Sequence, residues 1–196
     1  MSDPLFDADD DAATPLTPDE RAELIPTYIM SRAQLNEAEQ IGIADADIWA
    51  FGRNRDVLDQ DFLLGLHKRM FGRVWRWAGA TRASERNIGV AAYKIGIELR
   101  TLLDDVRFWV ANGTFPPDEI AVRFHHRLVF IHPFPNGNGR HARLAADLLA
   151  VSLERPRFSW GSASIVEAAG TRRAYVAALK AADAHDIGPL LQFARS

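Results

Sequence analysis

A short polar loop between two helix-like stretches is the feature that most constrains this 196-residue sequence. Apolar residues recur every three or four positions up to Ile131 and again from Leu144, which is the spacing of a helix that buries one face. Between them, Pro133 and Pro135 end the first helix, because proline lacks an N–H and disfavours the α conformation in the residue before it. Two Asn-Gly pairs then indicate tight turns. The two helices that bracket this loop are expected to form the core of a helical bundle.

The loop has the properties of an anion-binding site. Asn138 is a good N-cap for the helix predicted to begin near Arg140. Gly137 and Gly139 have no side chain, so the backbone N–H groups at that helix start are open to a ligand such as phosphate. Arg140 and Arg143 are three residues apart and project from nearly the same side of the helix. Two such arginines could clamp a di- or triphosphate.

His132 lies at the other side of the loop, where its imidazole could accept a proton from a nucleophile. Each feature alone has an ordinary explanation. Gly-Asn-Gly is often a surface turn, a single histidine is usually structural, and arginines at a helix start usually face solvent. Their combination is much less expected by chance, so the residues alone indicate a phosphate-binding loop with a candidate general base.

The stretch from His132 to Arg143 resembles the signature of the Fic (filamentation induced by cAMP) family, His-x-Phe-x-Asp/Glu-Gly-Asn-Gly-Arg-x-x-Arg. Every position agrees except the acidic one, where this chain has Asn136. The whole chain resembles most the small bacterial group called mobile mystery protein B. The resemblance implies an all-α, Fic-type helical bundle with a short β-hairpin flap next to the active-site loop.

The resemblance also implies a reaction, the transfer of AMP from ATP to a Ser, Thr or Tyr hydroxyl of a target protein or of the chain itself. His132 would be the general base, and Phe134 would be the core anchor that fixes the loop. The phosphates would be held by the loop and the helix after it, through Gly137, Asn138, Gly139, Arg140 and Arg143. Such a transfer depends mainly on positioning and charge neutralisation.

Asn136 departs from the family pattern at a position that implies metal binding. The acidic residue there ligates the Mg²⁺ that bridges the phosphates of ATP. An asparagine carbonyl can ligate Mg²⁺ or Mn²⁺, but hard cations favour charged oxygen. Three outcomes stay open: weaker metal binding with the same reaction, a different nucleotide or transfer chemistry, or a site that binds without reacting. The alternative function is therefore a catalytically altered or inactive Fic-like nucleotide-binding module.

Helical periodicity runs through nearly the whole chain and indicates the all-α class. A short helix is predicted from residue 17 and longer ones at 31–51, 59–72, 93–111, 117–131, 140–153, 163–183 and 187–194. The first two begin at Thr17 and Ser31, where Ser or Thr is followed three residues later by Glu or Gln. Among the side chains expected to be buried are Leu35, Ala38, Ile41 and Ile48 in the second helix and Val151 after the loop.

Residues 80–91 are polar and interrupted by glycine, so they can support at most a short hairpin. From the residues alone an ordinary connecting loop is preferred. Fic proteins, however, carry a flap hairpin here that pins the target peptide by strand addition. Arg82, Asn87 and Ile88 resemble the recurring residues of that flap.

Residues 1–16 are predicted to be a disordered acidic arm before a single Fic-like domain at 17–196. Many Fic proteins silence themselves with a glutamate from an inhibitory helix that pairs with the second signature arginine, here Arg143. The helices at 17–51 are similarly placed, but the motif spacing fails, since the residue four after Ser31 is Leu35. Glu37 is the candidate that could still reach Arg143.

The remaining histidines carry weaker signals. One of His125 and His126 is expected to face the core, where it is either a satisfied core residue or a partner that orients His132. His141 is expected to face solvent. His67 gives no signal.

Composition excludes several other classes of protein. The net charge of -3 argues weakly against a broad nucleic-acid surface, and the absence of cysteine excludes disulfides and thiolate metal sites. No apolar run approaches the ~20 residues of a membrane span, and the acidic start is unlike a signal peptide. A cytoplasmic protein without a membrane partner is expected, and the oligomeric state is left open.

Overall fold

The computed structural model describes residues 16–162 and 168–196. The acidic arm predicted at 1–16 therefore lies outside the described residues except for Leu16, as does the predicted start of the helix at 163–183. Within the described ranges there are one 3₁₀ turn (Ala92–Lys94) and eight α-helices. The helices are α1 (Pro18–Ala22), α2 (Arg32–Phe51), α3 (Gln60–Phe71), α4 (Ile95–Asn112), α5 (Pro117–Ile131), α6 (Asn138–Ser152), α7 (Ala168–Asp183) and α8 (Gly188–Arg195). The all-α class is confirmed.

Local capping signals explain where several helices begin and end. The Thr17 hydroxyl accepts the Glu20 N–H at 3.3 Å, and the Glu20 carboxylate accepts the Thr17 N–H at 2.8 Å, which is the reciprocal capping box predicted for α1. Ser31 caps α2 by accepting the Gln34 N–H at 3.3 Å. Gly113 ends α4 in the left-handed conformation with φ 58°.

The pair α5 and α6 forms the most extensive helix contact of the described chain. Their facing sides contribute fully buried side chains, which include Phe124, Leu128, Ile131, Ala142, Ala145 and Ala146. Because the loop at 132–137 joins these two helices, the best packed part of the core holds both of its ends. The expectation that this pair forms the core is confirmed.

The buried face of α2 differs from the predicted one. Ile41 and Ile48 are 54% and 74% exposed, and Val151 of α6 is 43% exposed, so these three predictions of burial were wrong. Ala38 is only partly buried. The face of α2 that points inward carries mostly small side chains and one carboxylate, namely Leu35, Glu39, Gly42, Ala46 and Ala50.

Small residues face inward because α2 lies very close to α3. A Cβ atom added to Gly42 would lie 2.3 Å from the carbonyl oxygen of Met70, so only glycine fits there. Larger apolar side chains such as Ile41 and Ile48 are excluded from this contact and face outward. The close approach fixes α2, and with it Glu39, against the rest of the bundle.

None of the described helices combines the length and the apolar character that a membrane span requires. Strand structure within the described residues is limited to one isolated antiparallel bridge between Leu24 and Trp75.

The contact at Gly42 predicts opposite effects of two glycine substitutions. Gly42→Ala should lower the free energy of unfolding by on the order of 2 kcal/mol, because the new methyl group overlaps backbone atoms of α3. Gly65→Ala is the matched control, because a Cβ there meets no atom within 4 Å, and it should stabilise the protein by up to about 1 kcal/mol. Urea unfolding of both variants measures this, and equal midpoints would contradict the assigned packing.

Candidate active site

The loop leaves α5 and enters α6 through two residues in the left-handed conformation. His132 caps the end of α5 with φ 54° and ψ 59°, and Gly137 precedes α6 with φ 79°. Asn138 is the first residue of α6, so the prediction that it is the N-cap was wrong, and Gly137 holds that place. The first bond within α6 joins the His141 N–H to the Gly137 carbonyl at 2.9 Å. The three N–H groups before it have no helix carbonyl to bind, which is the arrangement that favours an anion.

The side chain of Asn138 closes the loop. It is buried, its Oδ1 accepts the Phe134 N–H at 2.9 Å, and its Nδ2 donates to the Phe134 carbonyl at 2.8 Å. Both polar groups of the side chain are used by the protein, so its amide holds the loop rather than a phosphate. The Asn138 backbone N–H stays among the donors at the start of α6.

Phe134 and two histidines pack together below the loop. The Phe134 ring is 1% exposed and stacks on His67 with 3.6 Å between ring centroids, and His141 meets its edge at 5.0 Å. This is the position that an anchor of the loop requires. The prediction that His141 faces solvent was wrong, because α6 turns it inward, where its Nε2 lies 2.9 Å from the Leu63 carbonyl.

The environment of His132 keeps its imidazole uncharged at neutral pH. The side chain is almost wholly buried. Burial lowers the pKa of His132 to about 4, and the positive charges of Arg82 and Arg86 act in the same direction. A histidine with this pKa is unprotonated at neutral pH and can accept a proton.

The predicted flap contacts the loop but is not a hairpin. No residue of 80–91 is in a strand. Instead, the buried Arg82 side chain donates to the carbonyls of Ser84 and Val90, on both arms of the segment, and to the His132 carbonyl at 2.7 Å. The Arg82 N–H also donates to the Pro133 carbonyl at 2.8 Å. One guanidinium thus does what a ladder of strand hydrogen bonds would do.

The three predicted flap residues have different environments. Arg82 is buried, and its contacts position the segment, so it does not face a target peptide. Asn87 and Ile88 are exposed, where a peptide could reach them. Glu20 of α1 holds the same segment from the other side through an ion pair with Arg86 and a hydrogen bond from Ser84 at 3.1 Å.

The two signature arginines lie on one side of α6 but have different contacts. Arg140 donates from Nη1 to Glu39 Oε2 at 2.7 Å, and its guanidinium lies 4.9 Å from the centroid of Phe71. Arg143 lies over the ring of Tyr175 at 5.5 Å. The site therefore presents two cations, one of which is already paired with a carboxylate.

Glu39, not Glu37, is the glutamate that reaches this site. Glu37 is exposed, and two residues along an α-helix correspond to a rotation of about 200°, so Glu37 and Glu39 lie on opposite faces of α2. The buried Glu39 also accepts the Trp75 Nε1–H at 2.8 Å. The sequence predicted an ion pair between Glu37 and Arg143. This prediction was wrong, because the observed ion pair joins Glu39 to Arg140. A single carboxylate within the small-residue stripe of α2 was the signal that could have identified it.

The oxygen and nitrogen atoms around Asn136 that could ligate a metal ion do not form a metal site. Its Oδ1 accepts the Gly137 N–H, and its carbonyl lies 3.0 Å from His67 Nε2. The part of the chain that the structure describes has no group of three His, Cys, Asp or Glu side chains that could hold an ion. Glu39, the buried carboxylate beside the loop, is bonded to Arg140 and Trp75. These residues therefore do not fit a magnesium ion held by protein carboxylates.

The two histidines before the loop bond to residues of α7. His125 is buried, its Nε2 lies 2.9 Å from the Tyr175 hydroxyl, and burial lowers its pKa to about 3. It therefore faces the core, as expected for one of the two, and contacts the aromatic ring under Arg143. His126 lies 2.8 Å from Asp183.

Comparison with known proteins matches the same region. Residues 57–150 match the family model described as Fic/DOC family. Protein adenylyltransferase fic-1 of Caenorhabditis elegans is 28% identical over 145 residues, which is 72% of this chain and 27% of that protein. Protein adenylyltransferase Fic of Aedes aegypti is 28% identical over 142 residues, 70% of this chain and 27% of that protein. This chain thus spans about a quarter of the length of these curated relatives.

Solved structures show the same fold. C. elegans Fic-1 (aa134–508) superposes with a TM-score of 0.68 at 25% identity, over 90% of this chain and 51% of that one. BepC of Bartonella tribocorum with bound AMPPNP superposes with a TM-score of 0.68 at 18% identity, over 91% of this chain and 97% of that one. The matched region contains α3, the loop and α6 up to Ala150. Residues 57–150 of this chain thus match the Fic/DOC family in sequence, and the chain shares the fold of solved Fic proteins.

Proposed function

We propose that the chain transfers AMP from ATP to a Ser, Thr or Tyr hydroxyl of a protein. One observation carries this proposal. His132, uncharged at neutral pH, lies at one end of a loop whose other end is the start of α6 with Arg140 and Arg143. A base and a polyphosphate site are thereby held by the same six-residue connection. The names of the curated adenylyltransferase relatives support the same reaction.

The protein would bind ATP mainly through backbone and guanidinium donors. The first N–H groups of α6 point at the phosphates, and the positive end of the helix dipole favours them. Gly139 adds no side chain at the start of α6, whereas Gly137 faces the core, where a Cβ atom would lie 2.6 Å from Phe71 Cε2. Arg140 and Arg143 neutralise the charge of the phosphates. The Asn138 side chain holds the loop in shape and takes no direct part.

In the transfer step, His132 accepts the proton of the target hydroxyl. The hydroxyl oxygen forms a bond to the α-phosphorus, the bond from that phosphorus to the bridging oxygen breaks, and pyrophosphate leaves. An imidazole with a pKa of about 4 is a weak base. Proton transfer therefore accompanies the formation of the new P–O bond, as expected for a loose phosphoryl-type transition state. Exposed flap residues Asn87 and Ile88 would contact the target peptide.

A divalent metal ion belongs to the substrate in this proposal. Because Asn136 offers a neutral amide oxygen and Glu39 is paired with Arg140, we infer that Mg²⁺ or Mn²⁺ enters with the nucleotide and gains little from the protein. The metal supplies charge neutralisation on the phosphates when bound. Every other part of the site is formed by the chain itself.

We further propose that Glu39 restrains the site. Its carboxylate occupies Arg140 at 2.7 Å, which is a guanidinium that a phosphate would use. The carboxylate must give up this contact before Arg140 can bind ATP fully. This assigns to Glu39 the inhibitory role that the sequence suggested for Glu37.

A nucleotide-binding module without transfer activity is the second candidate. Asn136 in place of a carboxylate favours it, since the metal then has weaker support at the phosphates. Cytoplasmic localisation and membership of the mobile mystery protein B group stay predictions from the sequence.

Labelling with α-phosphate-labelled ATP tests the proposed reaction. The purified protein with Mg²⁺ or Mn²⁺ should transfer labelled AMP to itself or to proteins of a cell lysate, and His132→Ala should reduce the rate by at least about a hundredfold, as loss of a general base does. The kcat/KM for ATP should be flat from about pH 8 to about pH 6 and fall towards pH 4, because this ratio follows the free protein, in which His132 becomes protonated only there. ATP binding without any transfer would favour the second candidate.

The restraint by Glu39 is tested with two substitutions in one helix. Glu39→Gln keeps an acceptor for Trp75 but removes the charge that holds Arg140, so ATP should bind roughly tenfold more tightly and self-labelling should rise. Glu37→Gln removes the same charge from the exposed face and should change neither. Isothermal titration calorimetry with a non-hydrolysable ATP analogue measures the affinities. Identical affinities of the two variants would refute the restraint.

The role of Asn136 is tested by restoring a carboxylate. Asn136→Asp should lower the Mg²⁺ concentration needed for half-maximal labelling by on the order of tenfold, which corresponds to about 1.4 kcal/mol. Asn112→Asp, at the exposed end of α4, makes the same charge change away from the loop and should have no effect. If Asn136→Asp left the metal dependence unchanged, the site would not support metal binding at this position.

A further inference from the structure

His67 lies under the loop and forms a hydrogen bond with it through the Nε2 atom. The residue is on α3, outside the signature, and its side chain is completely buried. Its Nε2 lies 3.0 Å from the Asn136 carbonyl oxygen, and its Nδ1 lies 3.0 Å from the backbone nitrogen of Gly79. Both ring nitrogens are therefore in hydrogen bonds with main-chain groups that are far from each other in sequence.

These two partners fix the tautomer of the ring. The Gly79 N–H can only donate, so Nδ1 must accept and carries no proton. Nε2 then carries the ring proton and donates to the Asn136 carbonyl, which can only accept. A protonated ring or the other tautomer would leave the Gly79 N–H facing a second donor.

The bond to Asn136 sets the direction of the next N–H group. In a trans peptide the carbonyl and the N–H point in opposite directions. Because His67 holds the Asn136 carbonyl towards the core, the Gly137 N–H points away from the core, where the Asn136 side-chain oxygen accepts it. This N–H lies immediately before the donors at the start of α6.

Packing prevents the imidazole from moving. The ring stacks on Phe134 at 3.6 Å between centroids and lies 4.8 Å from the Phe71 ring. A Cβ atom at Gly137 would lie 3.3 Å from His67 Nε2 and 2.6 Å from Phe71 Cε2, so the loop backbone rests directly on this aromatic pair. Gly79, the second partner, immediately precedes the flap segment at 80–91.

We propose that His67 is a positioning residue of the nucleotide site. Through its Nε2–H tautomer it turns the Asn136–Gly137 peptide so that the Gly137 N–H points out of the core, where a phosphate would replace the Asn136 side-chain oxygen that accepts this N–H in the free protein. Through Nδ1 it joins this peptide to the start of the flap segment. The inference rests on the proposed function for the identity of the ligand. The orientation of the peptide and the ring tautomer are properties of the free protein.

Replacing His67 with glutamine or with asparagine tests its two hydrogen bonds one at a time. The amide nitrogen of glutamine lies near the place of histidine Nε2, so His67→Gln keeps a donor for the Asn136 carbonyl. The amide oxygen of asparagine lies near the place of Nδ1, so His67→Asn keeps only an acceptor for Gly79. Both variants lose the aromatic stack on Phe134 and should lose similar thermal stability.

The affinity for a non-hydrolysable ATP analogue, measured by calorimetry, should distinguish them. We expect His67→Gln to bind within roughly threefold of the unsubstituted protein and His67→Asn to bind at least roughly tenfold more weakly, with the KM for ATP changed more than kcat. Val106→Ala is the stability control, because Val106 is fully buried on α4 and lies outside the loop and the helices at its two ends. It should lower the melting temperature and leave the affinity unchanged. Equal affinities of the two His67 variants, whether both strong or both weak, would overturn the proposal.

A measurement on the unsubstituted protein separates this inference from the proposed function. Long-range ¹H–¹⁵N spectra of the histidine rings should show His67 with its proton on Nε2, and a proton on Nδ1 would overturn the inference whatever the protein binds. If the protein binds no ATP and transfers no AMP while His67 shows the expected tautomer, the proposed function fails and the orientation of the peptide stands.

Discussion

The hydrogen bonds between the Asn138 side chain and the Phe134 peptide are the constraint on which the site depends. At 2.9 and 2.8 Å they satisfy a buried N–H and a buried carbonyl in a loop that has few backbone partners of its own. Each bond contributes only about 1 kcal/mol net, but leaving those groups unpaired would cost about 1–3 kcal/mol each. The loop is therefore stable in one shape. His132 and the start of α6 keep their relative positions because Phe134 cannot move between them.

The ion pair between Glu39 of α2 and Arg140 of α6 contributes to the packing of the two helices and also lies at the candidate site. A buried carboxylate costs several kcal/mol of desolvation and is tolerated when it is paired. Glu39 meets this condition with Arg140 and Trp75. Because Gly42 allows α2 to approach α3 so closely, the carboxylate is held at the arginine by the helix packing itself. An anion that binds Arg140 in place of Glu39 must therefore also compensate the free-energy cost of leaving the buried carboxylate without this partner.

Signals within a few residues of the sequence predicted the fold well. The capping box at Thr17 and the left-handed Gly113 are local signals, and the start of α1 and the end of α4 that depend on them were confirmed. The two Asn-Gly pairs predicted the turn before α6, although this helix begins at Asn138 rather than near Arg140. Inward and outward faces were harder to predict. Ile41 and Ile48 were expected inside because they are large and apolar, but the close contact at Gly42 admits only small side chains.

Residues whose roles depend on distant partners could not be assigned from the sequence. The role of Glu39 depends on its contact with Arg140, which is 101 positions away along the chain. The role of His67 depends on its hydrogen bonds with Asn136 and Gly79. The flap segment was expected to be a hairpin because of the family resemblance, although the residues alone favoured a connecting loop. No local pattern shows that the Arg82 side chain bonds to both of its arms. The family signature identified the atoms of the loop, whereas the groups that hold those atoms in place lie on α2, α3 and the segment before α4.

The charges that favour an anion at this site also keep its histidines neutral. Burial is the first cause of the low pKa of His132, and Arg82 and Arg86 lower it further. The pKa values of His67 and His125 are lowered in the same way, with Arg140 and Arg143 as contributing charges. A positive site therefore leaves the His132 imidazole unprotonated before any anion binds. A bound polyphosphate acts in the opposite direction, because its negative charge offsets those arginines and raises the proton affinity of His132. In the proposed reaction His132 thus becomes a stronger base once the phosphates are bound, which reconciles a low pKa in the free protein with a role in proton transfer.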